Sequence, residues 1–157
     1  MVKLANEGQH MKWLENVVTK LANRVENQLN DLTDKKAFDT AQNAYCAGDL
    51  KTALAGYSAL AENGHGRAAA LAGEMHLSGK GTPVNGNKAV KYFEIGAAAS
   101  DPDATALLGM ALAAGMAGVK IDFIRAKPFL ETAATNGDAK AQEMLAIVIA
   151  KQKGRHN

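Results

Sequence analysis

The chain opens on a heptad rhythm. Leu4, Met11, Val18, Val25 and Leu32 recur every seven residues, and Leu14 and Leu21 fill two of the intervening positions. Residues 4–32 are therefore predicted to form one long amphipathic helix. The stripe is not a strict coiled-coil seam. Glu7 and Gln28 hold the other two intervening positions, and Val17, Ala22 and Leu29 widen the apolar face. Such width favours packing against a body of the same protein, with self-association or docking to a partner as the alternatives.

Beyond residue 35 the heptads give way to a longer period. Residues 51–64, 87–100 and 124–137 align on anchors Ala53, Ala89 and Ala126, which are 36 and 37 residues apart. The same interval relates residues 68–73, 104–109 and 141–146. Each period is predicted to be a pair of helices. Small residues at fixed positions let the helix backbones approach closely, and Tyr57, Phe93 and Leu130 are expected to supply the larger knobs that fill the space between units. Asn63-Gly64, Asp101-Pro102 and Asn136-Gly137 carry the stop and turn signals at the unit boundaries. Pro128 falls within a predicted helix and is expected in its first turn, where a missing N–H is tolerated.

One stretch is more specific than periodicity alone. Leu71-Ala72-Gly73-Glu74-Met75-His76-Leu77-Ser78-Gly79-Lys80-Gly81-Thr82-Pro83-Val84-Asn85, followed by Lys88-Ala89-Val90-Lys91-Tyr92-Phe93, resembles a Sel1-like repeat, a relative of the tetratricopeptide repeat with a longer loop inside each unit. The resemblance joins small-residue spacing, a Gly-x-Gly-x-Pro loop and an alanine-aromatic second helix in one register. The third unit, residues 102–138, is similar, but its loop at 114–122 lacks the proline. The first unit, residues 36–64, has the shorter connection Ala47-Gly48-Asp49 and resembles the plain tetratricopeptide form.

The resemblance covers residues 36–150 and implies an all-α fold, a short right-handed α-solenoid of two-helix repeats preceded by the long amphipathic helix. The expected organisation is an amino-terminal helix at 1–35, a repeat domain at 36–150 and a basic tail at 151–157. In the related tetratricopeptide family the first helix of each unit lines a concave groove. Carried over by position, that places Phe38, Gln42 and Tyr45 of the first unit on the groove, then Arg67, Ala70, Glu74 and Leu77 of the second. Asp103, Ala106, Met110 and Ala113 follow from the third, and Lys140, Glu143 and Ile147 from the terminal helix. The implied function is protein–protein interaction, as an adaptor or a specific inhibitor. A surface of small side chains with an adaptable methionine suits an amphipathic helix or an extended peptide as partner. A self-associating module built on residues 4–32 is the alternative, and a small enzyme a remote one.

Composition narrows the remaining classes. Eighteen basic residues against sixteen acidic ones leave a net charge of +2, with the signs interspersed. Nucleic acid, which needs a basic stripe with interleaved aromatics, is therefore not an expected partner. The one basic cluster is Lys151, Lys153, Arg155 and His156, read as a solvated helix end. No stretch is long and apolar enough to predict a membrane span, and the first residues do not read as a secretory signal. A single cysteine, Cys46, precludes an internal disulfide, so a cytoplasmic, reducing setting is expected, with Cys46 itself a small hydrophobe near a helix end.

Candidate chemistry fails on spacing. Gly81 and Gly86 are separated by four residues, as in a phosphate-binding loop, but Asn87 intervenes before Lys88 and Ala89 follows it. His10, His65, His76 and His156 never pair at i, i+4, the spacing that would put two imidazoles on one helical face. His76 is expected at the edge of the core, and Asp101 and Asp103 are expected to cap a helix. The sequence thus predicts no catalytic residue, no metal and no cofactor.

Overall fold

The computed structural model describes the backbone of residues 2–154 and the side chains of residues 8–154. Leu4 and Glu7 of the apolar stripe, and Arg155 and His156 of the basic tail, lie outside the described side chains. Among the described residues the protein is built from α1 (Val2–Cys46), α2 (Leu50–Glu62), α3 (Gly66–Ser78), α4 (Gly86–Ala98), α5 (Pro102–Ala114), α6 (Phe123–Thr135) and α7 (Ala139–Lys153), with one short 3₁₀ turn at Met116–Gly118 and no strand. The chain forms two compact units, residues 1–37 and 38–157.

The first unit is a single amphipathic helix. Where the heptad pattern ends near residue 35, the backbone does not break, and α1 continues to Cys46. Met11, Val18, Leu21, Val25, Leu29 and Leu32 are each 54–63% exposed.

In the second unit every helix from α2 to α7 starts on a side-chain cap that accepts a backbone N–H three residues on. The caps are Asp49, His65, Asn85, Asp101, Asp122 and Asp138. Each Asp or Asn cap contributes about 1 kcal/mol and fixes where its helix begins. His65 performs this task with Nδ1, which accepts from the Ala68 N–H at 3.2 Å while its ring stacks on Phe38. The expected stops are present as well. Asn63 and Asn136 cap α2 and α6, and Gly64 and Gly137 follow in the left-handed conformation.

Packing follows the repeat. Neighbouring helices pack in sequence, and like packs with like one period on, α3 on α5 and α5 on α7. The alignment anchors Ala53, Ala89 and Ala126 are fully buried, as are Ala68, Ala104 and Ala141, while Tyr57, Phe93 and Leu130 are, with Leu108, the largest fully buried side chains among the described residues. A Cβ placed on Gly73 would lie 2.4 Å from the Phe93 ring, and one on Gly109 would lie 2.9 Å from Leu130. Those two glycines therefore set the distance between the helices of their units.

The two long loops close in the same way although only one contains proline. Asn85 N–H donates to the His76 carbonyl at 2.8 Å, and Asp122 N–H donates to the Leu112 carbonyl at 2.9 Å. The proline is thus dispensable for closing the loop. The loop of the third unit in turn abuts the second, because a Cβ on Gly86 would meet the Met116 and Ala117 carbonyls at 2.6 and 2.7 Å.

Two expectations are corrected. Pro128 is not in the first turn of α6 but five residues beyond Phe123, so the helix forgoes the bond to the Ile124 carbonyl there. Both Pro128 and Ile124 are exposed, which leaves that carbonyl's side of the helix open to water. Cys46 is exposed at the end of α1 rather than packed as a small hydrophobe, and its Sγ accepts from Gln42 Nε2 at 3.7 Å.

Candidate functional site

The first helices of the second and third units and the terminal helix, α3, α5 and α7, stand side by side in register. Arg67, Asp103 and Lys140 are the second residues of these helices. Arg67 and Asp103 form an ion pair across the α3–α5 contact. The next turn is formed by Ala70, Ala106 and Glu143, and the turn after it by Glu74, Met110 and Ile147; Leu77 and Ala113 follow. The helical period and the repeat interval together thus bring these positions onto one face.

That face is not uniformly accessible. Ala70, Ala106 and Ala113 are buried in the core, so they bring the backbones together rather than meet a ligand. Arg67, Glu74, Asp103, Lys140, Glu143 and Ile147 are exposed, and Leu77 and Met110 are half-buried. The accessible surface is therefore charged at the start of the helices and, apart from Glu74, apolar further along them.

The three residues expected from the first unit are already engaged. Phe38 packs its ring between Tyr57 and His65, with centroids at 5.6 and 5.2 Å. Gln42 Oε1 accepts from the Tyr57 hydroxyl at 2.8 Å, and burial pushes that phenol above its ordinary pKa. Tyr45 receives the Lys80 ammonium at its hydroxyl, a hydrogen bond that raises the pKa of Lys80, and the same Nζ lies 5.2 Å from the ring centroid. Lys80 comes from the long loop of the second unit, so Tyr45 ties the first unit to the next.

Sequence reasoning missed an apolar hollow at the far end of the face. It has a volume of about 830 Å³ and lies where the ends of α5 and α7 meet the 115–122 loop. Ala113 and Ile147 line it as expected positions, while Ile121, Phe123 and Met144 are additions and Lys151 stands among the lining residues. The signal was present in the proline-free loop, where Val119 and Ile121 are apolar in a segment otherwise fit for turns. A smaller hollow of about 510 Å³ lies on the side of the second helices, between α4 and α6, with Thr105 and Leu108 among its lining.

His76 is buried and stacks on Tyr92 at 5.4 Å, where the next unit has Leu112. Its Nδ1 is enclosed without a hydrogen-bond partner, and burial, with Lys88 adding to it, depresses the pKa of the imidazole. The ring is a core aromatic. Among the described residues no group of three or more His, Cys, Asp or Glu side chains is arranged to hold a metal ion, and no helix is long and apolar enough to cross a membrane.

A stack of capped helix pairs, repeating at 36 and 37 residues with a glycine at each pair contact, matches a known family model over residues 66–101 and 102–138, described as the Sel1 repeat. The chain contains two Sel1 repeats. Solved structures share the fold. A Sel1 repeat protein from Oxalobacter formigenes is 30% identical with a TM-score of 0.63, the match covering 72% of this chain and 48% of that one. A protective antigen of uropathogenic Escherichia coli with an SLR fold is 22% identical with a TM-score of 0.66, over 75% of this chain and 26% of that one. Helicobacter pylori cysteine rich protein B is 21% identical with a TM-score of 0.54, over 72% and 95%. This chain therefore spans about half or less of the first two proteins. No curated protein matches it in sequence. Sel1-like repeats generally mediate protein–protein interaction.

Proposed function

We propose that the chain is a non-enzymatic adaptor or specific inhibitor that works in the cytosol and binds one protein partner through the face of α3, α5 and α7. One observation carries the proposal. The accessible row Glu74, Met110 and Ile147 runs across three helices into the apolar hollow beneath Ile121 and Met144. Such a row gives a helix or an extended peptide an apolar anchor point at one end and charged residues to fix its register at the other. Buried alanines behind the row keep the helices close, so the backbone that carries it is already in place before binding.

The test begins with affinity capture from the native host and identification of the retained protein. Glu74→Arg, Met110→Arg and Ile147→Arg should each weaken that partner tenfold or more, about 1.4 kcal/mol, with helical content unchanged. Neutralising Lys153, which does not line the hollow, should leave affinity nearly intact. Normal binding by all three face variants, with loss on neutralising Lys153, would replace the face with the basic helix end.

A further inference from the structure

The apolar stripe of α1 lies on the unit formed by residues 1–37, and its described residues are open to solvent. A contiguous apolar surface of that kind marks a contact. We propose that this stripe pairs with the same stripe of a second copy, as a parallel, in-register, two-stranded coiled coil along residues 11–32.

Three features of the helix select this occupant and this orientation. In the heptad frame Met11, Val18, Val25 and Leu32 hold one core position and Leu14, Leu21 and Gln28 the other. β-Branched residues at the first with leucine at the second favour two parallel strands. Gln28 decides between directions. In a parallel pair it faces Gln28 of the second copy, and the two amides satisfy each other. In an antiparallel pair a first core position faces a second, so Gln28 meets Met11 or Val18 according to register, which leaves a polar amide against an apolar side chain.

The flanking positions agree as well. A parallel pair sets Asp31 opposite Lys36 and His10 opposite Glu15, and it places no two like charges together. It also accounts for the width of the stripe. Val17 meets Ala22 of the second copy, and the aliphatic stem of Arg24 covers Leu29. The residues that widen the face beyond a simple seam are thereby buried without any other body.

Light scattering on the full chain across a concentration series should give the mass of a dimer. Leu14→Asp with Leu21→Asp should halve that mass while the melting transition of the repeats persists. In a Cys46→Ser background, Met11→Cys should form an interchain disulfide under mild oxidation, because position 11 meets itself only when the strands run parallel. Val18→Lys provides a second, independent break at a core layer and should also give monomer. A monomer at every concentration would overturn the proposal, whether the stripe is covered by the chain's own repeats or awaits a foreign helix. A dimer that survives the aspartate pair and Val18→Lys would also overturn it. A dimer dispersed by those variants but giving no disulfide at position 11 would overturn the parallel register.

Discussion

Arg67 and Asp103 occupy the same position in successive repeats and pair with each other across α3 and α5. Both side chains are about half exposed, so the pair contributes little to stability. Arg67→Gln should shift the unfolding free energy by no more than about 1 kcal/mol. A urea melt measures this, and a loss of several kcal/mol would mean that the pair holds the two helices together.

The glycines at the helix contacts should behave differently. Gly73→Leu would drive a side chain into the Phe93 ring and Gly109→Leu one into Leu130, where even a Cβ lies within 2.9 Å of its neighbour. Each should cost about 1–3 kcal/mol, read as a lowered denaturant midpoint at unchanged slope. A wild-type midpoint in either variant would place the contact elsewhere.

Ser100 is the odd member of its repeat position. Gly64 and Gly137 adopt φ of +86° and +91° at the equivalent places, whereas Ser100 holds φ +61° with a Cβ attached. The left-handed conformation costs an L-residue roughly 1–2 kcal/mol, part of which glycine returns as lost chain entropy. Ser100→Gly should therefore stabilise the repeats by roughly 0.5–1 kcal/mol. Thermal unfolding of the two forms side by side decides it, and an unchanged or lowered midpoint would contradict the account.

His76 should make stability depend on pH. Burial, first, and the Lys88 charge, second, lower its pKa in the folded chain. The unfolded chain then binds the proton more readily, so stability is full above about pH 6.5 and falls as pH drops below it, until the folded imidazole also protonates. His76→Leu, which installs the residue found at Leu112, should remove that part of the pH dependence. Melts at neutral and mildly acidic pH would show it as a smaller loss in the variant than in the wild type.

Much of this architecture is determined within one period of sequence. Helix caps such as Asp49, Asp101 and Asp138 bond to N–H groups three residues away, and the stops at Asn63-Gly64 and Asn136-Gly137 need only their own backbone. Those interactions are local, so residue type and spacing reveal them. The repeat interval extends the same legibility to packing, because Ala53, Ala89 and Ala126 recur on it and all three are fully buried. Tertiary structure alone decided the rest. Ala70, Ala106 and Ala113 share a helical face with Glu74 and Met110, yet how far each is covered depends on the closeness of the adjacent helix, which the period does not specify. Tyr45 and Lys80 meet across 35 residues, and the hollow beneath Ile121 exists only because a loop, α5 and α7 converge there. Contacts between elements far apart in sequence depend on the distances and angles of several helices at once, and no local pattern of residues encodes those.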